Sequence, residues 1–423
     1  MVAAAGPPHG GAPGSAAPEG LDAARVRLLV GLASASVLGA GLAPASVVDT
    51  AWALVRGHLF TSGALASAFV VHALTVRDPT ARRRAFVLGA LVEAALGAVR
   101  AAAGLDPSRG VGTGLGLVGL LLGALEVHRA RGSARAHAQR ILSDQIVLAS
   151  LALVSKTLLA LTGRLRPEVW DGYVLHAEQG FRVQPSLVFG ALFAAVPPLA
   201  GLSALVYVLL PVGLALVHGA RQRASPGARP DLLLSVYGLG LLGGLLYFVF
   251  PCVGPAVVAG RWPVEAFDLA VPPEPAWVFA ALHPRNCMPS LHTSWALVLA
   301  WQTRPLAWRW RAFGAGWAAL TIVATLGLGE HWLVDLVAAL PFASGVEAAC
   351  SAEVPRGRGA RAGVAGLAVL AAWLVSLRVG WRVWETNPGA ILAASAATVL
   401  FAGGLRRWAR ADFAALSAPD PEP

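Results

Sequence analysis

Met288-Pro289-Ser290-Leu291-His292 and, later in the chain, Gly329-Glu330-His331-Trp332-Leu333-Val334-Asp335 each open a long apolar run, and each brings a histidine to its start. An ionisable side chain inside a helical membrane bundle is costly, and it faces a partner or a cavity. These two stretches therefore predict membrane helices that meet around polar chemistry, not lipid-facing filler.

The whole composition agrees. Of 423 residues, 56% are hydrophobic and 13% charged, and mean hydropathy is +0.64. That excludes an ordinary soluble domain. Apolar runs long enough to cross a bilayer recur at 28–45, 58–76, 86–104, 111–128, 142–162, 187–217, 232–250, 289–303, 312–329, 331–348, 363–378 and 388–405. The segment 187–217 is too long for one span. Pro197-Pro198 predicts a short re-entrant or interfacial helix followed by a crossing helix. The expected fold is an all-α polytopic membrane bundle of about twelve transmembrane helices.

Residues 1–24, rich in Ala, Gly and Pro, read as a disordered tail, as do 411–423. Between them lie a bland four-span bundle (25–135), a polar-marked core of six spans (136–350) and two C-terminal spans (351–410). Arginines sort the loops. Arg25, Arg82–Arg84, Arg129–Arg140, Arg221–Arg229, Arg304–Arg311, Arg356–Arg361 and Arg406–Arg410 all fall on one side, which the positive-inside rule makes cytoplasmic, with both termini. The net charge of +10 then reflects topology and attraction to anionic lipid, not nucleic-acid binding. Two matches to GxGxxG, at Gly114–Gly119 and Gly238–Gly243, sit inside apolar runs with no preceding strand. They read as small-residue faces for helix packing.

One span separates 289–303 from 331–348, so both run from the external side inward and place His292 and His331 at similar depth. Their N-termini point unpaired N–H groups and positive dipole ends at one place, which suits an anion. His331 and Asp335 share a helix face. The carboxylate then orients the imidazole, which makes His331 a candidate nucleophile and His292 the acid for the leaving oxygen. Ser290 can cap its helix or donate to a phosphate oxygen.

Pro289-Ser290-Leu291-His292 resembles the second signature of the type 2 phosphatidic acid phosphatase (PAP2) superfamily, and His331-x-x-x-Asp335 its third. Trp170-Asp171-Gly172-Tyr173 and the run from Tyr247 to Pro255 are similar to segments of its inositolphosphotransferase, or inositol phosphorylceramide synthase-like, branch. The resemblance covers about residues 165–348. It implies a phosphatase or phosphotransferase acting on a membrane lipid phosphate through a phosphohistidine, with His331 as nucleophile, Asp335 its partner and His292 the general acid. It implies no cofactor and no metal. Phosphatases of the superfamily carry an arginine where this chain has Thr325, and their Lys…Arg-Pro signature is only imitated by Lys156 with Arg166-Pro167.

Phosphate charge must then be met elsewhere, and Arg285 and Lys156 join Ser290 as candidate contacts. Asp171 and Tyr247 are candidate headgroup contacts, and Glu330 reads as a solvated rim residue. Glu93 and Arg100 are expected to balance each other. Cys252 and Cys287, at the two ends of one external segment, are a candidate disulfide. The site would open outward, to the periplasm or a lumen. A non-catalytic transporter or scaffold, or a protein binding haem or metal through its histidines, stay open as alternatives. Nothing in the sequence sets the oligomeric state.

Overall fold

A computed structural model describes residues 59–225, 231–274, 276–280 and 283–416, and the single position 31. The expected N-terminal tail and the span at 28–45 lie outside the described residues, as does most of the C-terminal tail.

Helices follow one another almost without interruption. α1 (Leu59–Thr75), α2 (Pro79–Ala102), α3 (Thr113–Arg129) and α4 (Gly132–Leu165) form the N-terminal part. α5 (Asp171–Glu178) is short. α6 (Pro185–Ala195), α7 (Pro197–Val208), α8 (Leu210–Ala224) and α9 (Asp231–Val249) follow, then the single turn α10 (Pro255–Ala259). α11 (Leu291–Gln302), α12 (Trp308–Gly327), α13 (Leu333–Cys350), α14 (Arg356–Thr386) and α15 (Pro388–Leu416) complete the chain. A two-stranded antiparallel ladder, β1 (Glu168–Val169) with β2 (Trp277–Val278), ties the segments before α5 and before α11.

Among the described residues, six helices are long and apolar enough to cross a bilayer: α2, the 107–129 segment ending α3, α9, α13, α14 and α15. A seventh span results if α6 and α7 count as one broken span. This marks an integral membrane protein. The described residues do not confirm the expected count of about twelve. α11 has 12 residues, so it rises only about 18 Å and cannot cross alone. α1 has 17, and α12 opens on Arg309 and Arg311.

The bend expected at Pro197-Pro198 is present. α6 and α7 meet at 117° around Val196, because proline cannot donate to the preceding turn and crowds the residue before it.

α13 sits at the centre, with 78% of its apolar window buried, against 17% for α2 and 22% for α15. It packs on α9, α11, α14 and α15, while α5 reaches its N-terminal end. Gly114, Gly116 and Gly119 do serve packing. A Cβ at these positions would meet the backbone of Glu93, Leu65 and Phe69 at 2.6, 2.3 and 2.6 Å. Glu93 pairs with Arg100 at 3.8 Å and also caps the start of α3, accepting from the Gly114 N–H at 2.8 Å.

Candidate active site

The two histidine stretches meet through the backbone. Ser290 N–H donates to the Asp335 carbonyl at 3.2 Å, which joins the start of α11 to the first turn of α13. Ser290 is the N-cap of α11: its hydroxyl accepts from Thr293 N–H at 3.3 Å and donates to Thr293 Oγ1 at 3.0 Å. It is fully buried.

His331 is held from three directions. Its N–H donates to the Thr325 carbonyl at 3.1 Å, its carbonyl accepts from Ser186 Oγ at 3.2 Å, and its Nδ1 lies 3.4 Å from Asp335 Oδ2. Thr325, at the position where the resembling phosphatases carry arginine, thus acts through its backbone. Gly329 permits the turn before His331, with φ +71° and no room for a Cβ beside the Trp262 ring.

His292 lies on α11 with its ring stacked on Tyr207, centroids 3.8 Å apart and planes 15° apart. Its Nε2 is buried and has no partner among the described residues. His292 and Glu330 line one end of a largely apolar cavity of about 380 Å³, walled by α1, α4, α7, α9 and α11. Tyr207, Tyr237 and Tyr247, three of the four tyrosines in the chain, line it too. Glu330 is therefore a cavity residue, not a solvated rim.

Several expected contacts have other work. Arg285 is fully buried and its two terminal nitrogens donate to backbone carbonyls, while Nε has no partner among the described residues. Nη1 donates to Ala280 at 3.0 Å and to His283, and Nη2 to Pro167 and Phe279, each at 2.8 Å. It fastens the segment before α11 to the segment before α5, so the expected phosphate contact is replaced by a clamp. Arg166 likewise donates to the Phe248 carbonyl. Lys156 sits within α4, beside the cavity-lining Ser155, but its side chain lies outside what the structure describes.

Asp171 is no headgroup contact either. Fully buried, it accepts from Val253 N–H, Gly254 N–H and Trp332 Nε1 at 2.8, 2.8 and 2.9 Å. Burial pushes its carboxyl up to about 6, against the lowering effect of these donors. Tyr247 donates to the Pro289 carbonyl at 3.2 Å and borders the cavity.

The expectation that the start of α13 offers free N–H groups to an anion is also corrected. Trp332 N–H donates to Asp335 Oδ2 and Val334 N–H to Glu178 Oε1, both at 2.9 Å. A buried helix end must satisfy its donors, and here carboxylates do so. Burial, together with the nearby Asp335 charge, lifts Glu178 to about 8.

Cys252 and Cys287 are free thiols, not a disulfide. Cys287 Sγ donates instead to the Glu330 carbonyl at 3.1 Å. One donor atom each from Cys287, His331 and Asp335 lie within 4.8 Å of one another, a set able to offer three ligands to a metal ion. Reading the sequence missed Cys287 in this role and missed Tyr207 beneath His292. Both approaches depend on chain crossings that leave no spacing signal.

Residues 172–349 match the family model of the PAP2 superfamily. The match runs from α5 to the end of α13 and contains both histidine stretches, the cavity-lining residues of α7, α9 and α11, and Glu178. It leaves α1–α4, α14 and α15 outside. No curated protein and no solved structure matches the chain. The match of this segment to the PAP2 superfamily model suggests phosphatase or phosphotransferase activity on a phosphoric ester.

Proposed function

We propose that the protein is a membrane-embedded phosphatase or phosphotransferase of the PAP2 type, acting on a lipid phosphate, with His331, Asp335 and His292 as its reacting set. The observation that carries this reading is the Ser290–Asp335 backbone bond. It brings the helix bearing His292 to the paired His331 and Asp335, beside an apolar cavity that His292 borders.

Asp335 accepts from His331 Nδ1 and leaves Nε2 with its lone pair for phosphorus. As the Nε2–P bond forms, the P–O bond to the lipid breaks and its electron pair goes to the leaving oxygen, which takes a proton from His292. In the second half, water or an alcohol attacks the phosphohistidine, His292 takes the proton back, and His331 is restored. The cavity would hold the lipid chain next to the reacting phosphate. Because α13 meets carboxylates and both terminal nitrogens of Arg285 are taken by carbonyls, phosphate charge falls to the protonated His292 and to Lys156 of α4, next in sequence to the cavity-lining Ser155. The inositolphosphotransferase-like resemblance favours an alcohol acceptor, and the arginine-rich loops favour a site open to the external or lumenal side.

Proteoliposomes carrying a panel of lipid phosphates test this directly. Release of inorganic phosphate indicates hydrolysis, and a new phospholipid indicates transfer. Absence of both across phosphatidate, polyprenyl phosphates and phosphatidylinositol with ceramide or diacylglycerol acceptors sinks the reading.

A second reading rests on Cys287, which completes a three-donor set with His331 and Asp335. There the two motif residues hold a metal ion. Cys287→Ala and a strong chelator then abolish turnover, whereas the phosphohistidine route tolerates both.

A further inference from the structure

A second cleft, of about 610 Å³, opens at the far end of α13 from the histidines. Three helices build it, and two of them, α11 and α15, pass from apolar to cationic in the same direction. α11 contributes Leu297, and Arg304 follows just past its end. α15 contributes Val399 and Ala402, then Arg406, Arg407 and Arg410. α13 brings Leu340 and Ser344 to the wall and, one turn on, the buried Glu347. From Val399 to Arg406 is about 10 Å along a helix, so the cleft has an apolar floor under a rim of arginines.

Glu347 does not account for that charge. Arg410 donates to its Oε1, which also accepts from Gln302 Nε2 at 3.2 Å, and Arg406 Nε lies 3.7 Å from Oε2. Arg406 also lies over the Trp301 ring, 3.9 Å from its centroid. Its Nη2 is nonetheless buried without a partner among the described residues, and so is Ser344 Oγ on the facing wall. Arg304 and Arg407 are exposed at the rim. Capping the C-terminal carbonyls of α11 and α13 would explain one or two cations there, and Asp231 and Glu353 share an adjoining hollow with Arg304 and Arg410, but none of these acids takes up Arg406 Nη2. A buried guanidinium N–H without an acceptor is costly, and a phosphodiester oxygen supplies that acceptor.

We propose that this cleft binds an anionic phospholipid, its phosphodiester on Arg406 and the rim arginines and one acyl chain along Leu297, Leu340 and Val399. Basic pockets between membrane helices hold such headgroups on the arginine-rich side of a bilayer. The cleft contains no histidine and no cysteine, so the lipid there is a bound ligand, not a substrate. Three of the four cleft arginines come from α15, which lies outside the segment matched to the PAP2 superfamily. The site gives that additional helix a purpose independent of the reaction at His331.

Full-length protein, delipidated in a neutral detergent, is titrated with short-chain phosphatidylglycerol, with phosphatidylcholine of the same chains, and with inorganic phosphate, following the melting temperature. The expected result is a rise of several degrees with phosphatidylglycerol only. R304Q/R407Q, which alters two exposed rim groups and leaves Glu347 paired, is expected to weaken that response about thirtyfold, the fold-change implied by two headgroup contacts of about 1 kcal/mol each. R309Q/R311Q, on the neighbouring turn but outside the cleft, serves as the control and should respond like the parent. An equal shift with phosphatidylcholine, an equal shift with inorganic phosphate (a soluble-anion site), or an unchanged response in R304Q/R407Q each overturns the proposal.

Discussion

At the first turn of α13, Asp335 and Glu178 accept the helix's own N–H groups, and Asp171 holds Trp332. Twelve residues on, about 18 Å along the same helix, Glu347 meets Arg406 and Arg410 instead. The first end has the two histidines, a thiol and an apolar cavity, and its nearby arginines, Arg166 and Arg285, are tied to carbonyls. The second has arginines in excess and no group able to react. On the proposed readings, the reacting groups and the bound anionic lipid stand at opposite ends of one helix. At the histidine end, acids satisfy the helix's own donors and pair with His331. At the arginine end, Arg406 keeps a buried N–H without an acceptor among the described residues.

His331→Ala should give the largest effect on turnover if that division holds. Phosphate release or lipid product in proteoliposomes should fall by about 10⁶-fold, and His292→Ala nearly as far, because members of such a set act as a unit. Asp335→Asn should cost up to about 10⁴-fold through the wrong tautomer. Near-parental rates for His331→Ala would remove the histidine end from the mechanism.

Asp171→Ala tests whether the acids there hold geometry. It leaves the N–H groups of Val253, Gly254 and Trp332 without their acceptor. The expected outcome is a destabilisation of about 3 kcal/mol or more, read from thermal unfolding in detergent. Turnover should fall about 10²-fold as the segment beside His331 shifts. A variant with normal stability and low activity would instead give Asp171 a direct role in the reaction.

Glu178 provides a pH test. Its carboxyl is raised from 4.5 to about 8, so the folded protein binds that proton more tightly than the unfolded chain does. This contribution to stability is fully present below about pH 4.5 and is lost as pH rises towards 8. Glu178→Gln keeps a neutral acceptor for Val334 and should flatten this decline in melting temperature. An identical slope in the variant would assign the pH dependence elsewhere.

The smallest effect on turnover belongs to the other end. Glu347→Gln leaves buried arginines poorly compensated and should cost about 3 kcal/mol of stability. Turnover per folded molecule should stay within about twofold of the parent, since separated sites act independently. A large drop in turnover would show that the two ends are coupled and break the comparison.

The C-terminal helices reach the histidine end as well. His176 of α5 pairs with Glu385 of α14 at 2.8 Å, and Arg378 of α14 lies over the Tyr173 ring, 4.3 Å from its centroid. α14 therefore braces the helix whose Asp171 and Glu178 hold the start of α13. That explains structurally why helices outside the PAP2 superfamily match belong to the same packed unit.

The sequence by itself determined what repeats locally. Apolar runs gave a helical membrane protein, Pro197-Pro198 the break between α6 and α7, and Gly114–Gly119 a packing face. These follow from rise, period and the limits of proline, which neighbours in the chain dictate. The spacing of His331 and Asp335 suggested one helix face, but His331 lies two residues before α13 begins and reaches Asp335 from the turn after Gly329. Only the tertiary structure decided where the long-range partners went. It turned Arg285 from a phosphate contact into a carbonyl clamp, closed the start of α13 with Glu178, left Cys287 beside His331 instead of bonded to Cys252, and gathered Arg304 and Arg406 at one cleft. Each depends on which segments cross in space. A charge alone does not say whether its partner is a carbonyl, a carboxylate or a ligand, because burial and competing acceptors decide that.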